Sequence, residues 1–186
     1  MVLTYPFPHT LIENALSTQQ YKELEEGWDS AILTISKNPQ KENRVPTPEF
    51  SWKQNLAGHL QEMFGVKGAP TRGRYMLRRK GYELHPHIDP PNLLLTVIHY
   101  LPKEGQDNNL GTWLYETNFN LVNKTSGAAY YPQGKCLSCV KVFYKPNLVL
   151  AFLNTPYSAH GLEKLPEDRL AYQWHIAEEG YHGTNS

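Results

Sequence analysis

Apolar residues recur at helical spacing twice near the start of the chain. Tyr21, Leu24 and Trp28 line one side of a segment that opens on Ser17-Thr18-Gln19-Gln20. That opening reads as a capping box, with Ser17 at the N-cap and Gln20 at the third helical position. The pattern predicts a helix to residue 26, then a short strand over 31–36 and a loop over 37–47. A second helix is predicted beyond Thr47, which can cap it, with Pro48 in its first turn. Trp52, Leu56, Leu60, Met63 and Phe64 recur three and four apart along it, and Gly65 stops it. From Thr71 the pattern turns to strands, over 74–80, 82–88, 93–101, 112–116, 140–144, 148–153 and 170–177. Lys80-Gly81, Pro90-Pro91-Asn92, the segment from Gly105 to Gly111, Pro146-Asn147 and Pro166-Glu167-Asp168 separate them. Many short strands so divided predict a sandwich or barrel rather than alternating strands and helices. The helices are expected on the outer face of a sheet, residues 1–16 as a short strand or coil, and the tail from Glu178 as frayed.

A length of 186 residues suits one domain, 1–186, with 1–70 mostly helical support and 71–178 the β core. Lys plus Arg equals Asp plus Glu at 18 each, and no block of like charge stands out. That balance gives no electrostatic case for nucleic acid or an anionic membrane surface. No apolar run reaches transmembrane length, so a cytoplasmic protein is expected, of open oligomeric state. Cys136 and Cys139 form Cys-x-x-Cys, but zinc needs two further ligands, and a strand-to-helix redox context is missing. Two thiols in or beside a strand of a reduced protein are expected.

The chemistry concentrates in Tyr82-Glu83-Leu84-His85-Pro86-His87-Ile88-Asp89. In an extended strand, residues i and i+2 share a face, so His87 and Asp89 can close on one metal ion. His85 has the same parity, so spacing alone does not choose between the imidazoles. His160, in Asn154-Thr155-Pro156-Tyr157-Ser158-Ala159-His160-Gly161, supplies a distal third ligand, and Arg169 follows it. Two imidazoles and one carboxylate make the facial arrangement that holds non-haem Fe(II) with open positions. His99, on a strand beside Tyr100, is the rival ligand; a histidine whose ring nitrogens are satisfied by backbone or water is the ordinary alternative for any of them.

His-x-Asp, a distal His and a later Arg occur in order with two strand-like stretches. These are Leu95-Thr96-Val97-Ile98-His99-Tyr100-Leu101-Pro102 and Leu110-Gly111-Thr112-Trp113-Leu114-Tyr115. The set resembles the Fe(II)/2-oxoglutarate-dependent oxygenases, in their prolyl 4-hydroxylase-like branch, over roughly residues 72 to 178. The resemblance implies a mainly β fold, a double-stranded β-helix (jelly-roll, cupin-like) with N-terminal supporting helices. It implies Fe(II) on His87, Asp89 and His160, and 2-oxoglutarate as cosubstrate with its far carboxylate on Arg169. Tyr75 or Tyr100 would add a neutral donor, and ascorbate is a further reductant it admits. Ala171 stands where many relatives carry Ser or Thr, which implies another donor. Asp89 argues for hydroxylation or desaturation, since related halogenases replace the carboxylate by a small residue. The implied reaction hydroxylates an amino acid, small metabolite or peptidyl residue, with release of succinate and CO2. Tyr82, Trp113, Tyr115, Trp174 and the loop 103–110 are candidate pocket walls. Arg72, Arg74, Arg78 and Arg79 are candidates for an acidic substrate or for a charged edge strand. A cupin-like metal enzyme that does not use 2-oxoglutarate, or a non-catalytic jelly-roll binding module, is the competing expectation.

Overall fold

The computed structural model describes residues 1–35, 42–47, 49–117, 123–125, 128–131 and 136–181. In chain order the elements are β1 (His9–Glu13), α1 (Thr18–Ile35), β2 (Glu42–Pro46), α2 (Trp52–Phe64), β3 (Ala69–Pro70), β4 (Arg74–Arg78) and β5 (Leu84–Ile88). They continue as β6 (Leu93–Tyr100), β7 (Trp113–Thr117), β8 (Asn123–Thr125), β9 (Ala128–Tyr130), β10 (Cys136–Lys141), β11 (Leu148–Leu153), β12 (His160–Leu162) and β13 (Arg169–Ala177). Among the described residues the strands form two antiparallel sheets. The larger runs β1-β11-β6-β13-β4-β2, with β3 beside β13; the smaller runs β10-β7-β12-β5-β9-β8. The fold is mainly β, a jelly-roll with helices on one side.

The capping box forms as the sequence predicts: Gln20 N–H donates to Ser17 Oγ (3.3 Å) and Ser17 N–H to Gln20 Oε1 (3.0 Å). Helix α1 does not stop at residue 26 but runs through most of the expected strand to Ile35. Ala31 and Ile32 extend the Leu24–Trp28 stripe onto the sheet, and this burial outweighs the β-branched residues that suggested a strand. The expected loop also contains β2, paired with β4; residues 37–41 lie outside the described residues. Helix α2 begins at Trp52, and the hydroxyl of Thr47 donates to the Gly73 carbonyl (3.1 Å) instead of capping it. Gly65 ends α2 in the left-handed conformation, φ 67°.

Alternation along the strands of the larger sheet separates two cores. Leu95, Val97, Val149, Ala151, Tyr172, Trp174 and Ile176 face the helices, against Leu24, Trp28, Trp52 and Leu60. Ile98, Tyr100, Leu150, Phe152 and Ala171 face the smaller sheet, against Leu114 and Val142. Cys136 and Cys139 are free thiols on β10. No helix among the described residues is long and apolar enough to cross a membrane.

Candidate metal centre and cosubstrate pocket

The three sequence candidates for a metal meet between the sheets. His87, Asp89 and His160 each offer one donor atom, all within 4.8 Å of one another. His87 and His160 are cross-strand partners in the β5–β12 pair, with ring centroids 4.3 Å apart. Asp89 follows β5 and turns its carboxylate between them, Oδ1 lying 3.8 Å from His87 Nε2 and Oδ2 3.8 Å from His160 Nε2. Such separations are too long for hydrogen bonds. They suit donors on a shared ion, because two atoms each bonded at about 2.1 Å lie roughly 3 to 4 Å apart.

The donor chemistry fits a cation. Each imidazole turns Nδ1 to a carbonyl two residues back, His87 to His85 and His160 to Ser158, both at 3.1 Å. A carbonyl only accepts, so Nδ1 carries the proton and the Nε2 lone pair faces Asp89. Burial, with His160 alongside, pushes the His87 ring down to about 3, so it stays neutral and able to ligate. Burial opposes the charge on Asp89, but His160, His175 and His87 outweigh it and hold the carboxyl below the usual range. Thr96 donates its hydroxyl to Asp89 Oδ2, and this bond orients the carboxylate from the opposite sheet.

At the far end of the same interior lies Arg169, with no exposed surface. Its Nε donates to the Leu110 carbonyl (2.7 Å) and its Nη2 to Thr112 Oγ1 (3.2 Å). Tyr100 and Tyr144 place their rings 5.2 and 5.7 Å from the guanidinium carbon. Nη1 is buried without a hydrogen-bond partner. An unsatisfied donor on a buried cation is costly, and a carboxylate is the group that best relieves it. Thr112, just before β7, places a hydroxyl beside Arg169.

No family model matches the sequence, and no curated protein matches it. Solved structures resemble the chain along nearly its whole length. A prolyl-4-hydroxylase of Pseudomonas putida superposes with a TM-score of 0.62 at 11% identity, covering 92% of each chain. HygX of Streptomyces hygroscopicus, with nickel, 2-oxoglutarate and hygromycin B bound, gives 0.59 at 13% identity, covering 93% of this chain and 84% of its own. A Trichoplax adhaerens prolyl hydroxylase, in complex with a hypoxia-inducible-factor peptide, gives 0.57 at 14%, covering 92% and 84%. The fold is that of the prolyl hydroxylases.

Within this prolyl-hydroxylase fold the remaining sequence candidates separate. Tyr100 lies beside Arg169, its hydroxyl donating to Thr112 Oγ1 (2.9 Å). Tyr75 does not join them. It has the opposite parity, packs with Trp28 and Tyr172 on the helix side, and donates its hydroxyl to the Leu24 carbonyl (2.5 Å). His99, the rival ligand, also faces the helices, where its Nε2 accepts from Trp174 Nε1 (3.0 Å). His85 leaves the metal face because a bulge shifts the β5–β12 register, pairing His160 with His87 but Leu162 with Leu84. Its side chain is half exposed. Of the candidate walls, Tyr82 and, from the loop 103–110, Leu110 pack in the inner core, whereas Trp113 and Tyr115 cluster with Tyr131 elsewhere and Trp174 faces the helices.

Sequence reasoning missed the brace behind the candidate ligands. Asn154 Nδ2 contacts the carbonyls of Asp89 (3.2 Å), Pro90 (2.7 Å) and Leu93 (2.8 Å). Ser158 donates to the Thr155 carbonyl and accepts from the Thr155 N–H, both at 2.9 Å. The same Ser158 presents its carbonyl to His160. Asn154-Thr155-Pro156 therefore ties the turn that carries Asp89 to the turn that presents His160. The available signal was an Asn before Thr-Pro, residues that favour side-chain-to-backbone turns.

Proposed function

We propose that the chain is a single-domain Fe(II)- and 2-oxoglutarate-dependent dioxygenase. His87, Asp89 and His160 hold the metal; Arg169 receives the distal carboxylate of 2-oxoglutarate; Tyr100 and Thr112 shape that pocket. One observation carries this reading: a buried guanidinium with an unsatisfied Nη1, in the same interior as the His-Asp-His cluster. A cupin-like enzyme that does not use 2-oxoglutarate, or a binding module without chemistry, gives no reason for that cation.

Bound metal and 2-oxoglutarate supply an oxidation in which dioxygen places one atom in succinate, with loss of CO2, and the other in a substrate C–H bond. The protein's part is position and protection. Asp89 would contribute negative charge to a bound ion, the imidazoles of His87 and His160 would supply nitrogen ligands, and the apolar residues Ile98, Leu150 and Phe152 exclude water from the interior. Arg169 fixes the cosubstrate's far end, which sets where its reacting end meets the metal. Asp89 favours hydroxylation over halogenation, since it fills the position a halide needs. The substrate is an amino acid, a small metabolite or a peptidyl residue. The neighbours support that range, one holding a peptide and another hygromycin B. A cytoplasmic location accompanies this reading.

Succinate release tests it. Aerobic protein with Fe(II), 2-oxoglutarate and a substrate library should form succinate, and Arg169→Ala should require far more 2-oxoglutarate for the same rate. Oxygen consumption indifferent to 2-oxoglutarate would point to the cupin-like enzyme, and absence of Fe(II) binding to the non-catalytic module.

A further inference from the structure

Apart from His9 on β1, polar side chains interrupt the apolar inner face of the larger sheet in two places. One surrounds Arg169; the other begins at the metal carboxylate and crosses the sheet sideways. Thr96, which holds Asp89, is the cross-strand partner of His175. His175 shares the β13 face with Gln173, and the two side chains meet at 3.3 Å. Gln173 is in turn the cross-strand partner of Arg74 on β4, and Arg44 lies at the same face of the adjoining β2. Exposure rises along this row. Thr96 is 0% exposed, Gln173 and His175 are 7%, Arg74 is half-buried and Arg44 is exposed. Among the described residues the interior therefore opens towards this edge, whereas it is closed at Arg169.

We propose that this row is the substrate subsite and that it selects a substrate bearing a carboxylate or comparable anionic group, received by Arg74 with Gln173 and His175 beside it. The inference rests on the oxygenase reading and deepens it.

Charge and polarity carry the argument. The permanently charged groups that act on the His175 ring are Asp89, Arg74 and Arg44. Asp89 is the anion among them, and it faces the two imidazoles of the metal cluster. With a divalent ion there, the row is cationic, and a neutral or cationic substrate would gain nothing from it. An anion set against a half-buried guanidinium gains a charge-assisted bond. The amide and imidazole of Gln173 and His175 add neutral partners that fix orientation. Of the neighbouring arginines, Arg72 Nε donates to the Thr47 carbonyl (3.1 Å), and Arg79 pairs with Asp168 (2.9 Å).

The test uses the whole protein loaded anaerobically with Mn(II) and saturating 2-oxoglutarate. Its probes are free amino acids, N-acetyl amino acids and short dicarboxylic acids, each beside its carboxamide. Proton relaxation of the probe by Mn(II) reports approach to the metal. Carboxylate members should be relaxed at concentrations at least tenfold below their amides. Arg74→Gln should remove that preference and Gln173→Ala should weaken it several-fold, both with unchanged affinity for Mn(II) and 2-oxoglutarate. Equal relaxation by acids and amides, relaxation by no acid, or a preference that survives Arg74→Gln would overturn the subsite. So would acid binding that 2-oxoglutarate displaces, since it would come from the Arg169 pocket. Failure of the wild-type protein to bind 2-oxoglutarate is a separate readout; it would overturn the oxygenase reading and the subsite with it.

Discussion

Residue 87, a proposed ligand, illustrates how little of a ligand's behaviour resides in its own side chain. Its imidazole suits a cation because Nδ1–H donates to a backbone carbonyl and burial keeps the ring neutral, so that the nitrogen facing Asp89 is the basic one. His160 likewise turns its Nδ1 to a backbone carbonyl, that of Ser158. His87→Ala, Asp89→Ala and His160→Ala are each expected to abolish Fe(II)-dependent turnover while the far-ultraviolet dichroism of the sheet persists. Turnover unchanged in any one removes that residue from the centre. Arg169 acts through charge. A hydrogen bond to an ionised group contributes about 1.5 to 3 kcal/mol. Arg169→Ala is therefore expected to raise the apparent 2-oxoglutarate requirement about 10- to 100-fold with Fe(II) affinity unchanged; an unaltered requirement contradicts its assignment.

Strands and turns, more than residue types, decide which of these side chains meet. Parity in the sequence correctly grouped His87 with Asp89 but could not separate His85. That separation comes from a bulge between partner strands, and the sequence of one strand does not encode its neighbour's register. Gly161 is what the bulge requires: a Cβ there would stand 2.5 Å from the Leu84 carbonyl oxygen. Gly161→Ala is expected to part β12 from β5, costing about 1 to 3 kcal/mol of stability and lowering metal affinity in a titration. Unchanged metal affinity would show that the close approach does not position His160. Asn154→Ala leaves three carbonyls short of a donor and frees the turn after Asp89; metal affinity is expected to fall about 10- to 100-fold. Asn154→Asp, a near-isostere without the donor, should lose affinity too. Full affinity in both would limit the brace to a structural role. Tyr75 and Tyr100 show the same limit of sequence reading. Both are buried strand tyrosines, and only pairing with neighbouring strands places one beside Arg169 and the other beneath α1.

Across the whole molecule the sequence made the architecture legible where strands were long and apolar. It concealed the length of α1 and the existence of β2, because burial against a sheet assembled from distant segments decided both. The same burial has a thermodynamic consequence. His99 and His175 are pushed down to about 3 and about 4 by burial, against an ordinary value near 6.5 in an unfolded chain. Below that value the unfolded chain takes up protons that the folded chain refuses, so stability falls as pH falls. For each group the slope approaches about 1.4 kcal/mol per pH unit, until its folded value is reached. Denaturant titrations of the metal-free protein at pH 7 and pH 5 should show this loss, and His99→Gln should make it shallower. A stability independent of pH over that interval would mean these rings are not buried neutral.

Anaerobic calorimetric titration of 2-oxoglutarate into the protein, with and without Fe(II), tests the joined site most directly. The expected result is one equivalent bound tightly only when the metal is present, weakened in Arg169→Ala and lost in His87→Ala. Binding indifferent to the metal, or no binding at all, would contradict a centre built from both ends of this barrel.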